Sequence, residues 1–291
     1  MPDYKIIHKT IYSYESTVSH CINLAHMYPP NTPHQECYRT FIDVNPRPSA
    51  SSFRKDYFGN NLFFFSIEDP HKQLEVKVES SVKTNQPSYA NFARSCPWPE
   101  AQTRLMKSTT RSDIEALEYL LPSAHVPFNP KFAEYAAISF ADNKSILESV
   151  HDFTIRIFND FEFDPKATTI VTPLEQVFEQ KKGVCQDFTH FAISALRSFK
   201  IPARYVSGYI ETHPPIGQKK LQGSDATHAW LSVYCPDQGW VDFDPTNGKF
   251  ITDEYVITAI GRDYSDVSPL KGILFGGGKH KLKVEVDVLR E

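Results

Sequence analysis

Apolar and polar residues alternate one by one through the first third of the chain, shift to three- and four-residue spacing in the middle, and alternate again towards the end. Tyr4 to Tyr12, Arg39 to Val44, Asn61 to Ile67 and Leu74 to Val82 are rich in aromatic and β-branched residues. Pro, Gly and Asn turns separate them, which predicts an all-β unit closing as a sandwich over residues 1–85. Pro87, Pro97 and Pro99 among small polar residues then mark a linker over 86–100, ahead of a core spanning 101–291 that includes a carboxyl-terminal strand. Ser112 with Glu115 three residues on predicts a capped helix. Ser145 to Phe158 and Pro173 to Gln180 predict two more, the latter opening on a proline where proline is tolerated. Phe188, Phe191, Ala192, Ala195, Leu196 and Phe199 recur at i, i+3, i+4 and i+7, the signature of an amphipathic helix starting near Cys185. Strand patterns return at Ala203 to Ile210, at His228 to Tyr234 and at Trp240 to Thr246. Pro236-Asp237-Gln238-Gly239 turns the last two into a hairpin. Gly276-Gly277-Gly278 reads as a turn before an alternating strand, Lys281 to Val288, because no helix follows to make it a phosphate loop. Helices followed by an antiparallel sheet give an α+β core.

Within this pattern one residue stands where a nucleophile is expected. Cys185 lies in Lys182-Gly183-Val184-Cys185-Gln186-Asp187-Phe188, at the start of the amphipathic helix. Unpaired amides and the positive end of the helix dipole favour a thiolate there, and the same amides can hold a developing oxyanion. A base and an orienting group follow downstream: His228 opens one strand of the hairpin and Asp244 ends the other. If Trp230 sits opposite Asp244, His228 is a same-face diagonal neighbour of Asp244, about 7 Å away between Cα atoms. A one-residue slip puts them on opposite faces, and a four-residue turn permits either register. Asp187 and His190 on the helix, and Asp225 just before His228, compete for roles in this site and read as supporting residues. No second oxyanion donor is assigned. Trp230 and Trp240 read as core or cleft-lining aromatics, and the polar loop from Glu211 to Thr227 as a cleft rim or a plain connection.

Four blocks agree in order and spacing with a known superfamily: Gly183-Val184-Cys185-Gln186-Asp187-Phe188; Ile201-Pro202-Ala203-Arg204-Tyr205-Val206-Ser207-Gly208-Tyr209; His228-Ala229-Trp230; and Gly239-Trp240 with Asp244-Pro245-Thr246. On these the chain resembles the transglutaminase-like superfamily, and in particular bacterial members described as candidate cysteine proteases. The resemblance extends to an amino-terminal domain over Tyr4 to Val82 and to Gly261-Arg262-Asp263-Tyr264 near the carboxyl end. It implies a papain-like core and a triad of Cys185, His228 and Asp244. That triad implies thiol-dependent acyl transfer to water or to an amine, with a peptide, protein or small amide as substrate. A binding or assembly module on the same fold is the alternative.

Composition narrows the setting. Among 291 residues, 41% are hydrophobic and 13% aromatic, ample for two cores, and a net charge of −4 without a basic stripe argues against nucleic acid or an anionic membrane as partner. The first thirty residues carry Asp3, Lys5, His8 and Glu15 among alternating residues and no signal-like apolar run, so a cytoplasmic enzyme is expected. Five widely spaced cysteines fit neither a disulfide framework nor a zinc site. His20, Cys21, His26, His34 and Cys37 match no metal-ligand spacing, and the chemistry asks for no cofactor. The amino-terminal domain, without a nucleophile and base of its own, is expected either to place substrate or to cover an apolar face of the core.

Overall fold

The computed structural model describes residues 1–87, 95–212, 223, 225–236 and 238–291. Of the expected linker, residues 88–94 lie outside those described, as does most of the Glu211 to Thr227 loop. Strand β1, Asp3–Ala25, runs for 23 residues and is the axis of the amino-terminal unit. Around it stand β2 (Gln35–Asn45), β3 (Ala50–Lys55), β4 (Asn61–Ile67) and β5 (His71–Thr84), in the order β2-β5-β1-β4-β3. The first half of β1 pairs with β5 and the second half with β4, with a register shift between Ser13 and Val18. One strand can serve two halves because such a shift bends it. Phe63, Phe65 and Ile67 from β4 then meet Leu74, Val76 and Val78 from β5 in a single buried cluster. Of these strands only β3 was missing from the hydropathy reading, since Ala50-Ser51-Ser52 carries no apolar alternation.

The core begins with α1 (Trp98–Lys107), which starts inside the expected linker, and continues through α2 (Arg111–Leu117), α3 (Pro130–Ala137), α4 (Ile146–Asp160) and α5 (Leu174–Gln180). Ser145 caps α4 in a full capping box with Glu148. Helix α2 differs from expectation: Thr110, not Ser112, accepts the capping bond from the Asp113 amide, so that helix starts two residues earlier. Two short strands, β6 (Glu162–Phe163) and β7 (Lys182–Gly183), pair in parallel and lead into α6 (Cys185–Ser198). Helix α6 packs on an antiparallel sheet of order β11-β10-β9-β8-β12. Its strands are β8 (Ala203–Ile210), β9 (Thr227–Cys235), β10 (Gly239–Asp244), β11 (Lys249–Phe250) and β12 (Tyr255–Gly261). No helix of the described residues is long and apolar enough to cross a membrane.

After α7 (Tyr264–Val267) the chain leaves the core. Strands β13 (Leu270–Gly276) and β14 (His280–Arg290), joined at the glycine turn, both pair with β1. The expected core of 101–291 therefore gives up its carboxyl-terminal strand to the amino-terminal sheet. An alternating pattern marks a strand but does not name its partner, and β1 offered a free row of amides and carbonyls. The two units are tied further by side chains that imitate a neighbouring strand. Gln35 bonds both the amide and the carbonyl of Ile257 at 2.8 Å, and Asn60 does the same to Ile260 at 2.8 and 2.7 Å. They satisfy the outer edge of β12 with buried amides.

Helix α6 is anchored by Arg197, which is 2% exposed. Its guanidinium donates to the carbonyls of Ala203 at 2.9 and 3.1 Å, Leu121 at 2.8 Å and Arg262 at 2.8 Å, joining four segments. Arg197→Met should leave these buried oxygens without donors and lower unfolding free energy by about 3–5 kcal/mol. Arg197→Lys should recover less than half of that loss, because an ammonium cannot reproduce the planar fork. Urea denaturation of the three proteins decides the matter, and full recovery by Lys would refute the fork argument.

Candidate active site

The site is built from the first turn of α6. Lys181, left-handed at φ 53°, ends α5 with its ammonium 3.5 Å from the Phe178 ring centre, and Lys182 and Gly183 then run beside β6. Asp187 folds back over this entry: its Oδ2 accepts the Val184 amide at 2.8 Å and the Thr168 hydroxyl at 2.6 Å. A side chain at position 183 would put its Cβ 2.7 Å from that oxygen, so only glycine fits there. Asp187 is thus a structural cap that fixes where Cys185 begins the helix. Burial raises its carboxyl, and the two hydrogen bonds partly offset this. Cys185 is half-buried against the core, as the first residue of α6. All five cysteines are free thiols, three of them fully buried.

The hairpin supplies the partners. Phe243 lies opposite Leu231 and Asp242 opposite Ser232. One more step in that register sets Asp244 opposite Trp230, the arrangement in which His228 and Asp244 share a face. His228 Nε2 lies 2.7 Å from Asp244 Oδ2. Cys185 lies near enough to the same imidazole to favour its charged form. Across β8, His228 is paired with Gly208, where a Cβ would strike the Val256 carbonyl at 2.1 Å and the Trp230 ring at 2.5 Å. The glycine lets Trp230, fully buried, pack under the histidine with ring centres 6.0 Å apart.

Electrostatics bind the pair tightly. Burial, which leaves His228 only 9% exposed, pushes its imidazole down. The charge and hydrogen bond of Asp244, and then the Cys185 contact, outweigh this and raise it from 6.5 to about 10. Burial likewise works to raise the Asp244 carboxyl, but the His228 charge and donors from His228, Asn247 and Tyr255 hold it below the usual carboxylate range. Two of those donors were not foreseen. Tyr255 Oη donates to Asp244 Oδ2 at 2.7 Å and Asn247 Nδ2 at 2.6 Å, while the amides of Thr246 and Asn247 hold Oδ1 at 2.8 and 3.2 Å. Asp-Pro-Thr-Asn signals the turn that brings Asn247 back; nothing in the sequence links Tyr255, on β12, to the end of β10.

The competitors face other tasks. Asp225 Oδ2 accepts the Val288 amide at 2.8 Å and its Oδ1 the Thr212 hydroxyl, so it pins β14 beside the approach to β9. His190 is buried, its ring stacked on His125 with centres 5.3 Å apart, and it accepts the Tyr264 amide at 3.2 Å. Burial drives its imidazole down to about 3, so it stays neutral. Trp240 carries the Arg204 guanidinium 4.0 Å from its ring centre.

A thiol at a helix start, close to an imidazole that a buried carboxylate holds at 2.7 Å, is an arrangement that could support acyl transfer. Comparison with known proteins places the chain in a family. Residues 4–83 match the bacterial transglutaminase-like N-terminal region, and residues 135–245 match the transglutaminase-like superfamily. An uncharacterised protein of Mycobacterium tuberculosis is 33% identical over 98% of this chain and 92% of its own. A protein-glutamine gamma-glutamyltransferase of Pseudomonas aeruginosa is 32% identical over 62% of this chain and 25% of its own. The crystal structure of a candidate cysteine protease from Cytophaga hutchinsonii superimposes with a TM-score of 0.76, covering 99% of this chain and 90% of that one at 19% identity, which shows a shared fold. The long match to the mycobacterial relative and the two family matches, one on each unit, make this chain a member of the transglutaminase-like superfamily carrying the bacterial amino-terminal region.

Proposed function

We propose that the protein is a thiol-dependent acyl-transfer enzyme that cleaves amide or peptide bonds through Cys185, His228 and Asp244. The observation that carries this is the 2.7 Å bond between His228 and a buried Asp244, on an imidazole whose charged form Cys185, the first residue of α6, also favours. Membership of the superfamily, and a relative named as a gamma-glutamyltransferase, support the reaction class. In the reaction the Cys185 sulfur attacks the carbonyl carbon while its proton resides on His228. The tetrahedral oxyanion is met by unpaired amides of the first turn of α6. His228 gives its proton to the departing amine, the C–N bond breaks and an acyl-enzyme remains. Water then attacks, His228 takes its proton, and the acid is released with the thiol restored. An amine in place of water makes the product a new amide; hydrolysis is favoured because water is always present. Asp244 holds the charged ring throughout, and Tyr255 and Asn247 hold Asp244.

Cys185→Ala and His228→Ala should each reduce amide turnover by at least about 10³-fold with the fold intact by circular dichroism, because residues acting as a unit fail together. Activity within about tenfold of the parent in either variant removes that residue from the mechanism.

Asp244→Asn should lower the rate by about 10²- to 10⁴-fold through loss of the correct histidine tautomer. Asp225→Asn should cost stability and little rate, since its carboxylate serves Val288 and Thr212. Steady-state kinetics and thermal melts of the two variants read this directly, and a reversed ranking reassigns the orienting role to Asp225.

His228 should remain protonated through neutral pH and titrate near 10 in the folded protein. Its folded value lies above the unfolded 6.5, so its stabilising contribution is fully present below about 6.5 and is lost as pH rises through about 10. The stability gap between the parent and Asp244→Asn should therefore narrow across that interval. NMR titration of the imidazole and denaturation at a series of pH values test both points; a parent ring titrating at or below 6.5 is the contrary result.

A further inference from the structure

Strand β12 brings Tyr255 to Asp244, and the amino-terminal unit takes hold of the chain on either side of that tyrosine. Two residues before it, the Thr84 hydroxyl donates to the Asp253 carbonyl at 2.6 Å and the Asp253 amide donates to Gln86 Oε1 at 3.4 Å. Two residues after it, Gln35 bonds the amide and the carbonyl of Ile257, both at 2.8 Å, and its Nε2 also donates to the Pro30 carbonyl at 2.7 Å. Gln35 and Thr84 stand directly opposite each other in the β2–β5 ladder and are 4% and 1% exposed, so one buried cross-strand pair supplies both holds.

Within its own sheet, β12 has little else to fix it at this point. Tyr255 is the first residue of the strand and faces Ile210 at the end of β8, beyond which the Glu211 amide meets the Glu254 carbonyl at 3.0 Å. On the other side the ladder is broken by a register shift between Ile257 and Ala259. A strand end next to a bulge is the part of a sheet that opens most readily. The Tyr255 hydroxyl lies 2.7 Å from Asp244 Oδ2, and an O–H···O bond weakens beyond roughly 3.0 Å, so a drift of about 0.5 Å in β12 releases it.

We propose that Gln35 and Thr84 are positioning residues for the His228–Asp244 pair: by fixing Ile257 and Asp253 they keep the Tyr255 hydroxyl on Asp244, and so keep that carboxylate turned to His228. The effect on rate rests on the acyl-transfer reading; the effect on the pair does not. The charged and titratable groups around Asp244 are His228 of β9, Tyr255 of β12 and Lys249 of β11, whose ammonium is paired with Glu254 at 3.2 Å and lies 5.4 Å from the Tyr255 ring centre. Substitution at 35 or 84 alters none of them directly.

The test follows the carboxylate and the rate separately. Gln35→Met removes both bonds to Ile257, Thr84→Val removes the hydroxyl, and Thr84→Ser keeps it. In the Cys185→Ala protein, carbon NMR of the Asp244 carboxyl reads the pair without any turnover. A carboxylate that loses a donor holds its proton more tightly, so Tyr255→Phe should move this titration to higher pH. Gln35→Met and Thr84→Val should move it the same way, Thr84→Ser should leave it in place, and Gln35→Met added to Tyr255→Phe should move it no further. With Cys185 present and fluorescein-labelled casein as the probe, Gln35→Met should lower kcat about three- to tenfold, the scale of part of one charge-assisted hydrogen bond, with KM within about twofold. Thr84→Val should lower it less, and Thr84→Ser should match the parent. Should Gln35→Met fail to fold by circular dichroism, Thr84→Val and Thr84→Ser decide alone. An Asp244 titration that neither Gln35→Met nor Thr84→Val moves overturns the proposal, and so do rate losses that multiply in full with that of Tyr255→Phe. A parent that cleaves no casein, with the carboxyl responding as expected, upholds the positioning of the pair and counts against the acyl-transfer reading instead.

Discussion

Everything at the site depends on where helix α6 is allowed to begin. Asp187 closes its first turn on the Val184 amide, Gly183 makes room for that carboxylate, and Arg197 ties its last turn to Ala203, Leu121 and Arg262. Between these two fixings nearly every residue of the helix is buried. A helix held at both ends cannot slide, so the sulfur of its first residue stays at one depth against β9. The polar groups that achieve this are themselves buried and fully engaged, which makes the arrangement rigid as well as placed.

The second constraint is charge. Asp244 is wholly buried, yet its two oxygens receive five donors: His228, Tyr255, Asn247 through its side chain and its amide, and the Thr246 amide. That shell lets a carboxylate stay ionised where desolvation opposes it, and the ionised carboxylate in turn keeps the imidazole charged. Tyr255 belongs to β12, the strand whose outer edge Gln35 and Asn60 close from the amino-terminal unit. The β-domain thus supports, through one edge strand, the tyrosine that donates to Asp244. Covering the core and serving the site are the same physical act here.

Much of this was legible in one dimension. The 3.6-residue period after Cys185 marked α6 and put the cysteine at its start, the alternation around His228 and Trp240 marked β9 and β10, and the motif blocks gave the superfamily. Local signals of this kind survive because they depend on neighbours three or four residues away. They failed where a partner lay far along the chain. The alternation of β14 identified a strand and gave no hint that β1, at the opposite end of the sequence, would take it. Between near neighbours the signal erred once, where two hydroxyls competed: Ser112 carried the letters of a cap, but the Thr110 hydroxyl accepts the Asp113 amide.

The sequence by itself placed Cys185 at a helix start and His228 and Asp244 on the two strands of a hairpin, because local pattern defines those elements, and the motif blocks that resemble the superfamily singled the three residues out together. Only the tertiary structure decided the hairpin register, since a four-residue turn tolerates a slip that would turn His228 away from Asp244. It alone decided that Asp225 serves β14 and that Tyr255 reaches Asp244. Those choices rest on hydrogen bonds between segments that no periodicity connects, and they are fixed only when burial leaves each polar group one available partner.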